Sequence, residues 1–183
     1  DYASGIAVNA FGHCHPQLVE ALKDQASKLW HISNLYRIPE QEIVAEKLVE
    51  NSCADRVFFC NSGAEATEGA VKVARRFAWA NGEKDRTEII CATGAFHGRT
   101  LATMSATGKE KWKTLFEPKV AGFKQIDLND SEQAKKAVNA NTAAIMLELI
   151  QGEGGVHEVD PSFLENLSEL CRKEKILLII DEV

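Results

Sequence analysis

The chain has 183 residues, of which 45% are apolar and 26% are charged, and its formal net charge is −6. This length and composition are typical of a globular domain with a real core, and the acidic balance argues against a nucleic-acid-binding surface. No apolar stretch approaches the length of a membrane span, and the first residues lack both the basic and the apolar region of a signal peptide.

The first half of the chain alternates helical and extended patterns. Pro16 and Pro39 each suit the first turn of a helix, and apolar residues recur at helical spacing after both. The short apolar run 57–60 predicts a strand, and the alanine-rich pattern that follows Asn61-Ser62-Gly63 predicts a helix.

The second half continues the alternation. Strands are predicted at 88–92, 143–147 and 176–180, and Asp160-Pro161 predicts the start of a helix that runs to about Lys173. Five consecutive apolar residues at 176–180 indicate a strand covered on both faces. We therefore predict an α/β fold with a mostly parallel sheet and flanking helices, in which a ligand would lie beyond the carboxyl ends of the strands.

Asn61-Ser62-Gly63-Ala64-Glu65 lies where a helix is predicted to begin. The unpaired N–H groups of a helix start attract anions, and glycine lets a phosphate approach the backbone closely. Taken alone, the segment is better interpreted as a plain helix cap, with Ser62 as the capping residue and Glu65 as its capping-box partner. No Gly-Lys-Ser/Thr follows, so the segment is not a P-loop.

Two glycine-rich segments follow predicted strands. In the segment 94–100, Phe96 could stack on a planar heteroaromatic ligand and Arg99 could bind a carboxylate through two hydrogen bonds. A turn with a core phenylalanine and a surface arginine is the simpler local alternative. The segment 148–155 carries Glu148 and Glu153, and on local grounds it is a polar turn with one glutamate in an ion pair.

Asp181 ends the last predicted strand. A carboxylate there is costly unless it is paired. One use is a charge-assisted hydrogen bond to a pyridinium nitrogen, which keeps that ring an electron sink. A Mg²⁺-binding aspartate is the rival interpretation, and the absence of a phosphate loop weighs against it.

The five cysteines are odd in number and form no CxxC pair, so we expect reduced thiols and neither a disulfide framework nor a zinc site. His13-Cys14-His15 could in principle supply metal ligands, but a loop before Pro16 is the better interpretation. We therefore predict no metal site.

The order and spacing of the motifs resemble those of the class III (ω-amino) aminotransferases, which use pyridoxal 5′-phosphate (PLP) and have PLP fold type I. The matching segments are GIAVNAFGHCHP, LWHISNLY, FFCNSGAEATEGAVKVAR, GAFHGRT, LIQGEGGV and LLIIDEV. LWHISNLY and GHCHP are most similar to the branch that acts on acetylornithine or succinyl-diaminopimelate.

The resemblance implies a role for each motif. It places the PLP phosphate at Ser62, Gly63 and Ala64, and the PLP ring between Phe96 and Val183 with His97 beside it. Asp181 would meet the pyridine nitrogen, and Glu148 would support the ring from nearby. Arg99 would bind the substrate α-carboxylate, and Glu153 would pair with a downstream arginine so that the site accepts first an ω-amine and then glutamate.

The resemblance also implies a domain organisation. Residues 1–15 would lead from a small domain, and residues 16–183 would form part of the PLP-binding large domain. Both ends of the chain resemble interior sequence, so we expect a fragment. The lysine that joins PLP as a Schiff base would lie beyond Val183, and we expect the isolated chain to be inactive.

The leading hypothesis is transfer of an ω-amino group from N-acetylornithine, or from N-succinyl-diaminopimelate, to 2-oxoglutarate by a cytoplasmic homodimer. Ornithine or 4-aminobutyrate aminotransferase activity is the first alternative, and Arg99 weighs against substrates that lack an α-carboxylate. A non-catalytic paralogue that binds PLP or a partner is the second alternative. An unrelated phosphate-binding α/β module is the third.

Overall fold

The structure is a computed structural model that describes residues 1–112 and 114–183. Its residues divide into two compact units, Asp1–Phe58 and Phe59–Val183. The first unit holds α1 (Ser4–Ala7), α2 (Pro16–Ala26) and α3 (Pro39–Glu50).

Both longer helices of the first unit begin at the predicted prolines, with Pro16 opening α2 and Pro39 opening α3. α1 is a single turn whose residues have positive φ angles. Neither α2 nor α3 buries a side chain in the part of the chain that the structure describes, and apolar residues such as Leu22 and Ile43 are exposed.

The second unit alternates helices and strands. Its elements are α4 (Gly63–Ala80), β1 (Glu88–Ala92), α5 (Leu101–Ala106), a 3-10 turn (Glu110–Trp112), β2 (Phe123–Ile126), α6 (Ser131–Ala137), β3 (Thr142–Glu148), β4 (Ile150–Gln151), β5 (His157–Glu158), α7 (Pro161–Glu174) and β6 (Leu177–Asp181).

Four strands form one parallel sheet in the order β2-β1-β3-β6. β4 and β5 form a separate antiparallel pair. The carboxyl ends of β1, β3 and β6 therefore point the same way, and Glu148 on β3 lies directly beside Asp181 on β6. This arrangement confirms the predicted α/β fold with a mostly parallel sheet.

Alternating residues of the strands face two hydrophobic clusters, one on each side of the sheet. Ile90 and Ile145 face the cluster that contains Leu167 and Cys171 of α7. Ile89 and Met146 belong to the opposite cluster, which contains residues of α4 and α5. The sheet is thus the central layer between two layers of helices, as its apolar runs require.

The predictions at 88–92 and 143–147 are confirmed as β1 and β3, and the predicted helix after Asp160 is confirmed as α7. Asp160 is the N-cap of α7 by position, but its side chain makes no capping hydrogen bond. The short β2, with the sequence FKQI, was not predicted because its apolar pattern is too weak.

The prediction of a strand at 57–60 is wrong. These residues pair with no strand among those that the structure describes, and Phe58 is 82% exposed. An apolar run becomes a strand only when a neighbouring strand accepts and donates its backbone hydrogen bonds, which sequence alone does not reveal.

The strand predicted at 176–180 is confirmed as β6, but the prediction that it is covered on both faces is wrong in part. β6 is the last strand in the sheet order and pairs only with β3 among the described strands, and its residues are half-buried.

None of the helices in the described ranges combines the length and the apolar character that crossing a membrane requires.

Leu167 tests the packing of α7 on the sheet, because its side chain is only 1% exposed. Leu167→Ala should lower the free energy of unfolding by about 2–5 kcal/mol, through lost burial and the cavity left behind. Chemical denaturation measures this change. Glu165→Ala, at an exposed position of the same helix, should stay within about 0.5 kcal/mol of wild type. Equal effects of the two substitutions would contradict the assigned core.

Candidate active site

His97 is the centre of the segment that leaves β1 at the carboxyl edge of the sheet. Its backbone N–H donates to Thr107 Oγ1 at 3.1 Å, and its carbonyl accepts from Thr67 Oγ1 at 2.7 Å. Both threonines are buried. Thr67 precedes His97 in the chain and lies in α4, and Thr107 follows it, directly after α5. These bonds fix the backbone on which Phe96, His97 and Arg99 stand.

The imidazole of His97 pairs with Asp181. His97 Nδ1 lies 2.8 Å from Asp181 Oδ2, and the two side chains are 0% and 5% exposed. Asp181 Oδ1 also accepts from the N–H of Val183 at 3.1 Å. The carboxylate at the end of β6 is therefore paired, as its burial requires. His97 Nε2 is buried and has no hydrogen-bond partner among the described residues.

Glu148 sits next to Asp181 in the strand register and holds Phe96. Its Oε2 accepts from the N–H of Phe96 at 2.9 Å. Burial raises the pKa of the Glu148 carboxyl above its ordinary value, and the hydrogen bond from Phe96 opposes that shift. Two strand-end carboxyl groups thus fix the segment that carries the aromatic ring.

The start of α4 has the predicted Ser62 cap but not the predicted capping box. Ser62 Oγ accepts from the N–H of Glu65 at 3.2 Å, which confirms the cap. The Glu65 carboxylate turns back to the N–H of Asn61 at 2.7 Å and not to that of Ser62. The N–H groups of Gly63 and Ala64 have no acceptor among the described residues, so they remain available to an anion.

Close approaches connect this helix start with the other strand ends. A Cβ on Gly63 would lie 2.4 Å from Val183 Cγ1, and a Cβ on Gly98 would lie 3.0 Å from Ala64 Cβ. The start of α4, the segment around His97 and the residues after β6 therefore lie side by side. Val183 itself is 89% exposed.

Arg99 and Glu153 belong to a second cluster, built around Trp112. The Arg99 guanidinium lies over the indole ring at 5.4 Å, and Phe96 meets the same indole edge-on with 5.9 Å between ring centroids. Lys109 Nζ lies 2.9 Å from Glu153 Oε2 and 5.3 Å from the centroids of both rings. The Lys109 hydrogen bond lowers the pKa of the exposed Glu153 carboxyl.

The predicted residues therefore form two connected groups within the second unit. Asp181, His97, Glu148 and Phe96 are linked by hydrogen bonds, with the helix start beside them. Arg99 and Glu153 join through Trp112 and Lys109, and Phe96 belongs to both groups. Sequence reasoning missed Trp112, Lys109 and Thr107, because no motif singles out residues that a turn folds back onto the site.

A model of the class-III aminotransferases matches residues 1–183, the whole chain. The chain belongs to the class-III aminotransferase family. Members of this family depend on PLP, and this membership confirms the resemblance drawn from the motifs.

The named relatives match the chain over its whole length, whereas the chain spans less than half of the length of each relative. An acetylornithine aminotransferase of Agrobacterium fabrum is 52% identical over 183 residues, which are 100% of this chain and 46% of that protein. The N-acetylornithine aminotransferase of Stenotrophomonas maltophilia has 43% identity and a TM-score of 0.82, over 99% of this chain and 44% of that one.

The ornithine aminotransferase of Toxoplasma gondii has 34% identity and a TM-score of 0.88, over 98% of this chain and 43% of that one. Its structure is described as having partial occupancy of PLP at the active site. The fold at this site is therefore one that holds PLP in a relative.

The chain's own groups fit PLP. The cofactor needs an anion site for its phosphate, a flat contact for its ring and a carboxylate for its pyridine nitrogen. The unpaired N–H groups of Gly63 and Ala64, the half-buried Phe96 and the nearly buried Asp181 supply these three features. Among the described residues, no group of three or more His, Cys, Asp or Glu side chains could hold a metal ion.

Two glycines test the close packing at this edge of the sheet. Gly98 has a φ of +124°, and its added Cβ would lie 2.7 Å from Thr103 Oγ1, whereas a Cβ on Gly69 in α4 would meet nothing within 4 Å. Gly98→Ala should cost more than about 1 kcal/mol of stability, and Gly69→Ala should add about 0.5–1 kcal/mol. Thermal unfolding of both variants measures the difference, and a tolerated Gly98→Ala would refute the close approach.

The Lys109–Glu153 pair predicts a pH effect. Because Lys109 lowers the pKa of Glu153, the pair stabilises the fold above the ordinary glutamate pKa, and this contribution is lost as the pH falls through the lowered folded-state pKa. Lys109→Met should raise the Glu153 pKa toward its ordinary value, as followed by NMR titration of the carboxyl carbon. Lys135→Met, which removes the partner of Glu132 instead, should leave Glu153 unchanged. An unaltered Glu153 titration in Lys109→Met would contradict the pairing.

Proposed function

We propose that the protein is a PLP-dependent aminotransferase that moves the ω-amino group of N-acetylornithine, or of N-succinyl-diaminopimelate, to 2-oxoglutarate. The observation that carries this proposal is the nearly buried Asp181 carboxylate, paired with His97 and lying near a helix start with free N–H groups. The 52% identity to an acetylornithine aminotransferase over the whole chain supports the substrate.

Gly63, Ala64 and the Ser62 hydroxyl would hold the cofactor phosphate. The positive end of the α4 dipole and the unpaired N–H groups favour an anion at this position. Ser62 already accepts from Glu65, so its hydroxyl hydrogen is free to donate to a phosphate oxygen. Gly63 would allow the close approach that a side chain would block.

Asp181 would keep the pyridine nitrogen protonated, with His97 holding the carboxylate in place. When bound, PLP supplies a ring that withdraws electrons from the reacting carbon of the substrate. A carboxylate held in a nearly dry environment interacts strongly with a positive charge, because water does not screen it. Phe96 would stack on the ring, Val183 would cover its other face, and Glu148 would fix Phe96 by its hydrogen bond.

Arg99 would bind the substrate α-carboxylate. Its guanidinium is exposed, carries no ion pair with any described residue and can form two parallel hydrogen bonds to a carboxylate. Glu153, held by Lys109, would pair with an arginine from outside residues 1–183, as the family resemblance implies, so that the site accepts first the ω-amine and then glutamate.

Ornithine aminotransferase activity is the second candidate, since the Toxoplasma gondii ornithine aminotransferase is 34% identical over 98% of this chain. The two activities differ in the acyl group on the α-nitrogen, so a comparison of ornithine with N-acetylornithine separates them. We also propose, from the family resemblance alone, a cytoplasmic homodimer, whose oligomeric state analytical ultracentrifugation would measure.

The test is an amino-transfer assay on the polypeptide as its gene encodes it, with N-acetylornithine and 2-oxoglutarate and with glutamate formation as the readout. Asp181→Asn should lower kcat on the order of 10²-fold or more, because a neutral amide cannot hold the pyridinium charge. Asp127→Asn, directly after β2 at the opposite edge of the sheet, should leave kcat unchanged.

Bound cofactor should still be detectable by absorbance in Asp181→Asn, since the phosphate contacts are untouched. Glutamate formation by Asp181→Asn at the wild-type rate would contradict the role of Asp181. A wild-type protein that binds PLP and transfers no amino group would favour the non-catalytic paralogue.

A further inference from the structure

The guanidinium of Arg99 has a single defined neighbour. Among the described residues it makes no hydrogen bond and no ion pair, and its contact is the indole ring of Trp112 at 5.4 Å. Arg99 is exposed, and an exposed arginine has many rotamers. Among the described residues, the indole is therefore the contact that can orient the guanidinium.

Trp112 is itself held from several directions. The backbone N–H of Trp112 donates to the carbonyl of Lys109 at 3.0 Å, and the backbone carbonyl of Trp112 accepts from Lys119 Nζ at 2.7 Å. Phe96 meets its ring edge-on at an interplanar angle of 67°. The half-buried indole is thus held by the backbone of Trp112 and by a neighbouring ring, independently of Arg99.

Lys109 adds a second anchor. Its side chain is 13% exposed, its ammonium lies 5.3 Å from the Trp112 centroid, and it is bonded to Glu153. Lys111 also approaches the ring, at 5.7 Å. Three cations therefore lie near one indole, and Glu153 is hydrogen-bonded to one of them, Lys109.

We propose that Trp112 is the positioning residue for Arg99, a platform that holds the guanidinium ready for the substrate carboxylate. This inference rests on the proposed function, since it assumes that Arg99 binds a carboxylate. A planar, weakly hydrated guanidinium can stack on an aromatic face. Its N–H groups then point outward in the plane of the guanidinium and stay free for a ligand. Pre-ordering Arg99 reduces the entropy lost when a carboxylate binds.

As a positioning residue, Trp112 should affect carboxylate binding and not the rate of the chemical step. Trp112 contacts Arg99 and Phe96 but lies outside the hydrogen-bonded set around Asp181. Removing the indole should therefore weaken carboxylate binding about three- to tenfold and raise KM by a similar factor, with kcat within about twofold. Trp112→Phe keeps an aromatic face and should recover part of the loss.

The experiment measures glutarate, a dicarboxylate that carries no amino or keto group, binding to the encoded protein by isothermal titration calorimetry. The variants are Trp112→Leu, Trp112→Phe, Arg99→Leu and the double variant. The matched control is Trp79→Leu, because Trp79 also carries a stacked arginine, Arg76 at 4.0 Å, but on α4 away from this cluster. Circular dichroism checks that each variant folds, and Trp112→Phe serves if Trp112→Leu does not.

The proposal requires weaker glutarate binding in Trp112→Leu and unchanged binding in Trp79→Leu. It also requires that the double variant bind no more weakly than Arg99→Leu, because the platform acts only through the guanidinium. Weakening by Arg99→Leu alone, with Trp112→Leu like wild type, would overturn the platform role and leave the proposed function standing. Unchanged binding in Arg99→Leu would overturn both the platform and the carboxylate role of Arg99.

Discussion

The site depends on a buried charge that has to be paired. Asp181 ends β6 with its carboxylate 5% exposed, and His97, from the segment after β1, supplies the partner at 2.8 Å. A buried carboxylate without a hydrogen-bond partner is costly, so the two segments are held together across the strand between them. The backbone of His97 is held in turn by Thr67 and Thr107, which extends this constraint to α4 and to the loop after α5.

The parallel register converts this pairing into a site. Since β3 lies between β1 and β6, Glu148 stands beside Asp181 and faces the same segment, where it accepts from Phe96. The ring of Phe96 then meets Trp112, and through it Arg99 and Lys109. A nearly buried carboxylate, an aromatic face and a set of cations are thus brought together by one strand order and one buried pair.

The long elements could be predicted from the sequence because burial on both faces leaves a continuous apolar run, as in β1 and β3. The same rule failed at 57–60, where the run exists but no described strand pairs with it, and it overstated the burial of β6, whose residues are half-buried. The motif residues were predicted through the family resemblance. Their supports were not, since Thr107 and Trp112 reach the site only because the chain folds back after α5. Contacts between residues far apart in sequence leave no periodic pattern to detect.

The central claim is that Asp181 and the start of α4 hold the two ends of PLP. A crystal structure of the polypeptide as its gene encodes it, grown with PLP, tests that claim most directly. The account predicts the pyridine nitrogen within hydrogen-bond distance of the Asp181 carboxylate, with His97 still paired to it, and the phosphate at the N–H groups of Gly63 and Ala64. A cofactor whose phosphate lies away from α4, or whose ring nitrogen faces another residue, would contradict it.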